Sequence, residues 1–195
     1  MELALFDFDG TVTSKDSFGD FLLFCVGKRK FYWGMLKMSP VLIAYILGFV
    51  PNYKAKQALV KYFFKGWATD QFEECSRKYS EKKLPKIIKR TALERIRWHK
   101  KQGHDIAIVT ASFESYLKSW TDEYEITLIA TQLEMTAQKL TGQFATPNCY
   151  GSEKIRRVKE RYNLDHYNVI YAYGDSKGDL ELLALADKSY YRYFS

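Results

Sequence analysis

An apolar run followed by two closely spaced carboxylates opens the chain and restricts the folds that it can adopt. Leu3 to Phe6 form the run, Asp7 and Asp9 follow directly, and Gly10 marks a turn. Side chains alternate along a strand with a period of two, so both carboxylates start on the same side. In α/β proteins, ligands bind at the carboxyl ends of the strands. The pattern therefore predicts an acidic site at the end of the first strand.

Two carboxylates this close together are difficult to keep ionised, because each negative charge raises the pKa of the other group. A hard divalent metal such as Mg²⁺ binds oxygen ligands and relieves the repulsion. One carboxylate is then available as a nucleophile and the other as a proton donor and acceptor. The structural alternative is a plain Asp-Gly turn at a strand end.

A second apolar run, residues 106–109, ends in Thr110, Ala111 and Ser112. It is typical of a buried strand that leads into hydroxyl side chains, which suit a phosphate oxygen. The alternative is that Thr110 caps a helix over residues 114–120, and this segment taken alone favours the cap.

A third motif, Gly151-Ser152-Glu153-Lys154, precedes an amphipathic run that ends at Tyr162. If a helix begins at the serine, Lys154 lies in its first turn, where a positive charge is unfavourable beside the positive end of the helix dipole. A nearby anion explains such a position. The alternative is an ordinary surface lysine.

The fourth motif follows the apolar residues 169–173 and runs from Gly174 through Asp175 and Ser176 to Asp179. One helical turn separates the two acidic residues, so both are able to face the same side. Outside this context the segment would be a plain turn.

In this order the four motifs resemble those of the haloacid dehalogenase superfamily of phosphohydrolases, and they extend from Asp7 to Asp179. The resemblance is closest to the phosphoserine-phosphatase-like branch, subfamily IB, and within it to bacterial hydrolases similar to phosphatidylglycerophosphatase C. The sequence departs from phosphoserine phosphatase at three places: Thr110-Ala111-Ser112 replaces a Ser-Gly-Gly turn, Gly178 replaces an Asn, and Asp16 replaces a Glu that holds the substrate's amino group. These departures argue against L-phosphoserine as substrate.

The resemblance implies a Mg²⁺-dependent phosphatase that works through an aspartyl-phosphate. Asp7 is the implied nucleophile, and Asp9 is the implied general acid and base. Thr110 and Lys154 are implied to contact the phosphoryl group. Substrate contacts are implied for Asp16, Ser112 and the backbone amides of Gly10 and Thr11. The implied metal ligands are Asp7, the backbone carbonyl of Asp9, Asp175 and Asp179. Asp179 is expected to act through a water molecule or by orienting Lys154.

Alternating strand and helix patterns predict an α/β fold, a Rossmann-like parallel sheet with covered faces. We expect strands over 3–7, 105–110, 126–132, 168–173 and 189–193, helices over 90–102, 113–121, 153–162 and 177–186, and a hairpin over 135–144. The segment 16–84 lacks strand alternation and is typical of helices broken near Gly34, Pro40 and Pro51. The prediction is a catalytic core of residues 1–14 and 85–195 with an inserted helical cap of residues 15–84.

The charge of the chain is concentrated in the predicted cap. Residues 15–84 carry 13 Lys and Arg against 6 Asp and Glu, which accounts for the whole net charge of +7. Such a module attracts an anionic substrate or surface, although a solubilising face is an equal alternative.

The expected partners are a small or lipid-linked phosphoester and, peripherally, an anionic membrane; no nucleic-acid motif is present. The alternative function is a non-catalytic module that binds an anionic partner through the basic cap, and the complete set of acidic residues and lysine argues against it.

The uncharged segment 38–50 is the most apolar part of the cap. A membrane span needs about 20 apolar residues, so we expect no spanning helix. The two options are a buried cap helix, which is the more frequent use of such a run, and a helical pair that lies in a lipid interface. Together with the basic flanks, this segment slightly favours a lipid phosphate as substrate.

The cysteines and histidines suggest no further site. Cys25, Cys75 and Cys149 are odd in number and lack a Cys-x-x-Cys pair, so we expect neither a structural disulfide nor a zinc site, and a reducing cytosol fits. Acidic residues at positions 2, 7 and 9 are not typical of a secretory signal. The three histidines, His99, His104 and His166, show no ligand spacing. The expected location is cytoplasmic, with a peripheral association at the inner membrane surface.

Overall fold

The computed structural model describes residues 1–194. In chain order its elements are β1 (Glu2–Phe6), α1 (Ser17–Val26), α2 (Lys28–Ile46), α3 (Asn52–Phe64), α4 (Thr69–Lys82), α5 (Arg90–Lys101), β2 (Asp105–Phe113), α6 (Glu114–Glu123), β3 (Thr127–Thr131), β4 (Leu133–Thr136), β5 (Lys139–Phe144), α7 (Ser152–Arg161), β6 (Val169–Gly174), α8 (Leu180–Leu185) and β7 (Lys188–Tyr191). Short 3-10 helices cover Leu84–Lys86, Leu164–His166 and Lys177–Asp179.

A five-stranded sheet in the order β3-β2-β1-β6-β7 forms the centre of the molecule, and all its strand pairs are parallel. The predicted α/β fold and all five predicted strands are confirmed. The strand order reverses at β1, which has β2 on one side and β6 on the other. Ligand sites of open α/β sheets lie outside the carboxyl ends of the strands at such a reversal. Asp7 follows β1 at this point.

The predicted hairpin is also confirmed, since β4 and β5 pair antiparallel as a separate two-stranded sheet. Several boundaries differ from the prediction by one to three residues, and one of these differences bears on the site. The second strand continues past Thr110 to Phe113, with a shift of register against β3. Helix α6 therefore starts after Phe113, and no side chain caps its first turn. Thr110 is thus not the cap of a helix.

Apolar residues cover both faces of the sheet. On one face, Phe6 and Tyr173 stack in a large aromatic cluster that continues into the helices between β1 and α5. On the other face, Leu5 and Val109 pack with α7 and α8. The strands are buried on both sides, as a parallel sheet requires.

The segment between β1 and α5 folds as four helices, α1 to α4, in agreement with the helical pattern of the sequence. The breaks expected near Gly34 and Pro40 are wrong, because both residues lie inside the continuous helix α2, whereas the chain does break at Pro51 before α3. Gly34 lets α2 approach α3 closely, because a Cβ at this position would lie 2.3 Å from the ring of Phe63. Within residues 1–194, no helix is both long and apolar enough to cross a lipid bilayer.

The expectation that the cysteines form no structural disulfide is wrong. Cys25 near the end of α1 is bonded to Cys75 in α4, with the two Cα atoms 6.0 Å apart, and Cys149 is free and buried. Residues 50 positions apart in sequence meet because α1 packs on α4, which the spacing of cysteines along a chain does not reveal. The cysteine count therefore gives no support for a reducing compartment.

Candidate active site

Polar side chains from four separate segments meet at the carboxyl end of the sheet. Asp7 follows β1, Thr110 lies in β2, Asp175 follows β6, and Lys154 lies in the first turn of α7. These are the elements in which the sequence predicted the four motifs. The parallel arrangement of the strands brings their ends to one edge, so residues more than a hundred positions apart become neighbours.

Three carboxylates form the acidic part of the site. Oxygens of Asp7, Asp175 and Asp179 lie within 4.8 Å of one another. Asp175 is held against Gly10, which has a φ of 82° and whose missing Cβ would lie 2.3 Å from Oδ2 of Asp175. Only glycine allows this approach. The hydroxyl of Thr11 donates to the other oxygen of Asp175 at 3.2 Å.

Lys154 joins two of the carboxylates. Its ammonium nitrogen donates to Asp7 at 2.5 Å and to Asp179 at 2.7 Å, and the side chain is buried. Burial works to lower the pKa of Lys154, but the two carboxylates outweigh it and hold the pKa above its usual value. The lysine is therefore a fixed positive charge at the bottom of the site. A nearby anion was expected to explain a lysine at this helix start, and Asp7 and Asp179 are two such anions.

Asp179 is positioned by its own turn. Its second oxygen accepts hydrogen bonds from the hydroxyl of Ser176 at 2.8 Å and from the backbone amides of Ser176 and Asp175. Burial works to raise the pKa of Asp179, but Lys154 and the Ser176 donors outweigh it and lower the pKa. Both oxygens are thus occupied by protein donors. This geometry places Asp179 as the anchor of Lys154.

Asp7 has a different electrostatic environment. Burial raises the pKa of Asp7 to about 7, and the neighbouring Lys154 opposes the rise. Burial also raises the pKa of Asp175. The hydrogen bonds found within residues 1–194 leave Oδ2 of Asp7 and Oδ2 of Asp175 without a protein donor. Desolvated carboxylate oxygens of this kind are suitable ligands for a hard divalent cation, so the site fits Mg²⁺.

Asp9 lies beside the three carboxylates, and a different set of hydrogen bonds holds it in place. Its Oδ1 accepts the backbone amide of Ser17 at 2.7 Å, and its Oδ2 accepts the hydroxyl of Ser112. Ser112 is fully buried, and its hydroxyl faces Asp9 rather than the cavity. Ser17 also bonds to Ser112 and Tyr116 through its own hydroxyl. The first turn of α1 thereby fixes the rotamer of Asp9.

Thr110 presents a donor to the site. Its hydroxyl oxygen accepts a hydrogen bond from the backbone amide of Ser112 at 3.0 Å. The hydroxyl hydrogen is not used in this contact. Together with Asp7 and Lys154, the side chain lines a cavity at this end of the sheet, which we call the main cavity because it holds the acidic residues. The hydroxyl is therefore available to an anionic oxygen between these groups.

The main cavity has a volume of about 330 Å³ and lies between the sheet edge and the helices α1 to α3. Five of the residues predicted for the site line it at its base, namely Asp7, Asp9, Thr110, Lys154 and Asp179. Asp16 lies at its rim, where it caps α1 by accepting the amide of Gly19. Gly10, Thr11 and Asp175 line a second cavity of about 240 Å³ instead.

Sequence reasoning missed Lys56. This residue of α3 lines the main cavity and donates to the carbonyl of Ala111 at 2.7 Å. Its ammonium group lies over the rings of Phe18 and Phe113, at 4.9 and 4.6 Å from their centroids. Burial lowers the pKa of Lys56, although the charges of nearby carboxylates oppose the shift. No motif marks this lysine among the many of residues 15–84, so the sequence offered no signal for it.

The fold and the site define an α/β protein with a parallel sheet and an acidic centre at the carboxyl ends of its strands, and comparison with known proteins identifies the family. The model of the haloacid dehalogenase-like hydrolases matches residues 4–184. The chain therefore belongs to the haloacid dehalogenase-like hydrolase family, as the motif resemblance predicted.

The chain is also similar to a curated relative and to solved structures. The chain is 36% identical over 194 residues to Protein CicA of Caulobacter vibrioides, covering 98% of this chain and 86% of the relative. It is similar in fold to a protein of unknown function from Bordetella pertussis Tohama I, with a TM-score of 0.82, 19% identity, and coverage of 96% and 88%. It is also similar to a phosphoserine phosphatase solved as a phospho-aspartyl intermediate analogue, with a TM-score of 0.68, 17% identity, and coverage of 96% and 84%. At these identities the two structures show the fold alone.

Proposed function

We propose that the protein is a Mg²⁺-dependent phosphomonoester hydrolase that works through an aspartyl-phosphate on Asp7. The observation that carries the proposal is the placement of the buried Lys154 between Asp7 and Asp179, beside a third carboxylate. A phosphoryl group carries negative charge on all its oxygens, so its transfer depends on positioning and cationic stabilisation. The site supplies a fixed cation beside an oxygen nucleophile.

In the first step, an oxygen of Asp7 forms a bond to phosphorus while the bond from phosphorus to the ester oxygen breaks. Asp9 gives its proton to the departing oxygen. In the second step, Asp9 takes a proton from water, the water oxygen attacks phosphorus, and the bond between Asp7 and phosphorus breaks. Inorganic phosphate leaves and both carboxylates return to their starting states. The hydrogen bonds from Ser17 and Ser112 hold Asp9 in place for both proton transfers.

The other residues stabilise the negative charge that the phosphoryl group spreads over its oxygens. Lys154 and the hydroxyl of Thr110 donate to those oxygens. Asp7, Asp175 and the backbone carbonyl of Asp9 would hold Mg²⁺, which would supply positive charge against the negative charge of the phosphoryl oxygens. Asp179 keeps Lys154 in position through the contact at 2.7 Å.

The substrate is proposed as a small or lipid-linked phosphoester that enters between the core and the helical cap of residues 15–84. Leu42, Tyr45 and Leu59 line the cavity above the acidic base, which supports a substrate with an apolar portion. This lining, with Asp16 at the rim, also supports a specificity like that of phosphatidylglycerophosphatase C over one like that of phosphoserine phosphatase.

The Asp7→Asn variant tests the function. Asparagine keeps the size of the side chain but is not a carboxylate nucleophile, so hydrolysis of every phosphomonoester should be lost. Binding of a metal fluoride that mimics the phosphoryl group should be lost as well. Asp165→Asn, an exposed site far from the cavity, is the matched control and should leave both unchanged. Wild-type activity in purified Asp7→Asn would contradict the mechanism.

A substrate screen completes the test. Hydrolysis with Mg²⁺ is measured on soluble and lipid-linked phosphoesters, with and without detergent. A preference for lipid esters supports the lipid-linked substrate, whereas activity confined to soluble esters counts against it.

A further inference from the structure

We propose that the outer face of α2 docks this protein on an anionic lipid bilayer. This outer face consists of seven exposed apolar side chains of α2 and the turn after it: Tyr32, Trp33, Leu36, Ile43, Ile46, Leu47 and Phe49. Docking is a property of this surface and does not depend on the catalytic proposal.

The exposed surfaces of these side chains do not contribute to the packing of the fold. Trp33 is 60% exposed, Ile46 77% and Phe49 81%. The opposite side of the same helix already packs on the core through Phe31, Met35 and Leu42. Helix α2 is thus apolar on both sides. A helix of this kind places one side in the core and has an apolar side left for a partner.

The outer side chains form one continuous stripe. Trp33, Leu36, Ile43 and Leu47 follow each other at spacings of three, seven and four residues, which places them on one side of a helix. The helix has 19 residues and is therefore about 28 Å long. A stripe of this length is suited to a flat partner along which the helix can lie.

The charge around the stripe is of one sign. Residues 21–69 contain eight Lys and Arg and no Asp or Glu. Lys28, Arg29 and Lys30 are exposed at the start of α2, and Lys54 is exposed in the first turn of α3. Among residues 1–194, none of the ion pairs found uses a basic residue of this segment, whereas Arg77 in α4 pairs with Glu74 and Glu81. The segment therefore presents exposed positive charge at Lys28, Arg29, Lys30 and Lys54 that forms none of these ion pairs.

An apolar stripe flanked by unpaired cations is complementary to a bilayer with anionic headgroups. The apolar side chains enter the interface, and the cations meet the headgroups. A second copy of this chain fits less well, because a symmetric contact would bring the same cations together. A nucleic acid also fits less well, because the aliphatic side chains of Leu36, Ile43 and Ile46 separate the aromatic residues at the two ends of the stripe and offer no ring on which a base can stack.

Docking of this surface also orients the cavity. Leu42 and Tyr45 belong to the same helix and line the main cavity, together with Asn52 at the start of α3. A bilayer in contact with the outer face is therefore next to the wall of the cavity.

Vesicle flotation of the full chain tests the proposal at low and at high salt. The vesicles are phosphatidylcholine alone and phosphatidylcholine mixed with phosphatidylglycerol. The protein should float with the mixed vesicles at low salt, less at high salt, and weakly with phosphatidylcholine alone. Equal recovery with both vesicle types, or no flotation at all, would overturn the proposal.

Two variants separate the two parts of the surface. Trp33→Ser with Ile43→Ser should lower the vesicle partition coefficient roughly tenfold or more. Lys28→Gln, Arg29→Gln and Lys30→Gln together should lower it by roughly a hundredfold at low salt. All five side chains are exposed, so thermal unfolding should match that of the wild type.

Matched controls carry the same chemical changes elsewhere. Lys82→Gln, Lys83→Gln and Lys86→Gln remove three exposed lysines outside the segment, and Trp98→Ser removes a partly exposed tryptophan of α5. Both should keep wild-type vesicle binding. Equal losses in controls and test variants would contradict the proposal. So would vesicle binding that is unchanged in both test variants, or association with a polynucleotide or a second copy in place of vesicles.

Discussion

The ammonium nitrogen of Lys154 lies 2.7 Å from a carboxylate oxygen of Asp179, and both side chains are buried. A second carboxylate, that of Asp7, lies at 2.5 Å from the same nitrogen. One cation therefore balances two buried anions. Removal of the cation should affect the stability of the fold as well as the chemistry of the site.

The Lys154→Met variant tests this arrangement. Methionine has a similar length but no charge, so the buried carboxylates of Asp7 and Asp179 lose the positive charge that balances them. We expect the free energy of unfolding to fall by about 3–5 kcal/mol and phosphatase activity to be lost. Lys159→Met, an exposed position of the same helix, should change neither quantity. Chemical denaturation measures the stability, and a native-like stability of Lys154→Met would show that the carboxylates do not depend on the lysine.

The metal site gives a separate prediction. Asp175→Asn removes a negative charge and one ligand oxygen but keeps the contact with Gly10 similar in size. The Mg²⁺ concentration needed for half-maximal activity should rise roughly tenfold or more. The measurement is a Mg²⁺ titration after removal of metal with a chelator, and activity should return when the metal is added. An unchanged Mg²⁺ requirement would remove Asp175 from the ligand set.

A buried histidine predicts a pH dependence of stability. His99 in α5 lies between the hydroxyl of Tyr173, at 2.9 Å, and Nδ1 of His104, at 2.8 Å. Arg95 donates to the Tyr173 hydroxyl, and Nε2 of His104 contacts a carboxylate oxygen of Glu2. Burial lowers the pKa of His99 from 6.5 to about 3, and Arg95 and His104 add to the shift. The folded protein thus keeps this ring neutral at pH values where the unfolded chain protonates it.

Because the unfolded state binds the extra proton, stability falls as the pH drops from about 6.5 toward 3. The expected slope from this one group is up to about 1.4 kcal/mol per pH unit. His99→Gln should flatten the curve of unfolding free energy against pH in this window. His166→Gln, at an exposed position, should not. Parallel curves for wild type and His99→Gln would contradict the assignment.

The disulfide between Cys25 and Cys75 predicts one free thiol in the unreduced, denatured protein, that of Cys149. The bond links residues 50 positions apart, and a loop of this size should stabilise the fold by about 2–4 kcal/mol. A reducing agent should lower the unfolding temperature of the wild type but not that of Cys25→Ser with Cys75→Ser. Three titratable thiols before reduction would show that the bond does not form.

Much of the core was predictable because its signals are local. The apolar runs before Asp7, Thr110 and Asp175 mark buried strands by themselves, and parallel strands place their carboxyl ends at one edge. The position of Lys154 in a first helical turn was also visible from its neighbours. The candidate site therefore follows from motif positions and from one property of parallel sheets.

The roles of other residues depended on contacts between distant segments. Ser112 was expected to meet the substrate, yet its hydroxyl faces Asp9. Lys56 enters the cavity from α3 without any motif. Both outcomes depend on how the helices after β1 settle on the sheet edge, which no local pattern encodes.

The sequence by itself determined the order of strands and helices, the acidic centre and the basic character of residues 15–84, because periodicity, turn residues and charge are written along the chain. Only the tertiary structure decided which cysteines pair, which way Ser112 points and which side of α2 remains exposed. The physical reason is that α2 is apolar on both sides. Its burial is therefore set by the surfaces that pack against it and not by its own residue pattern.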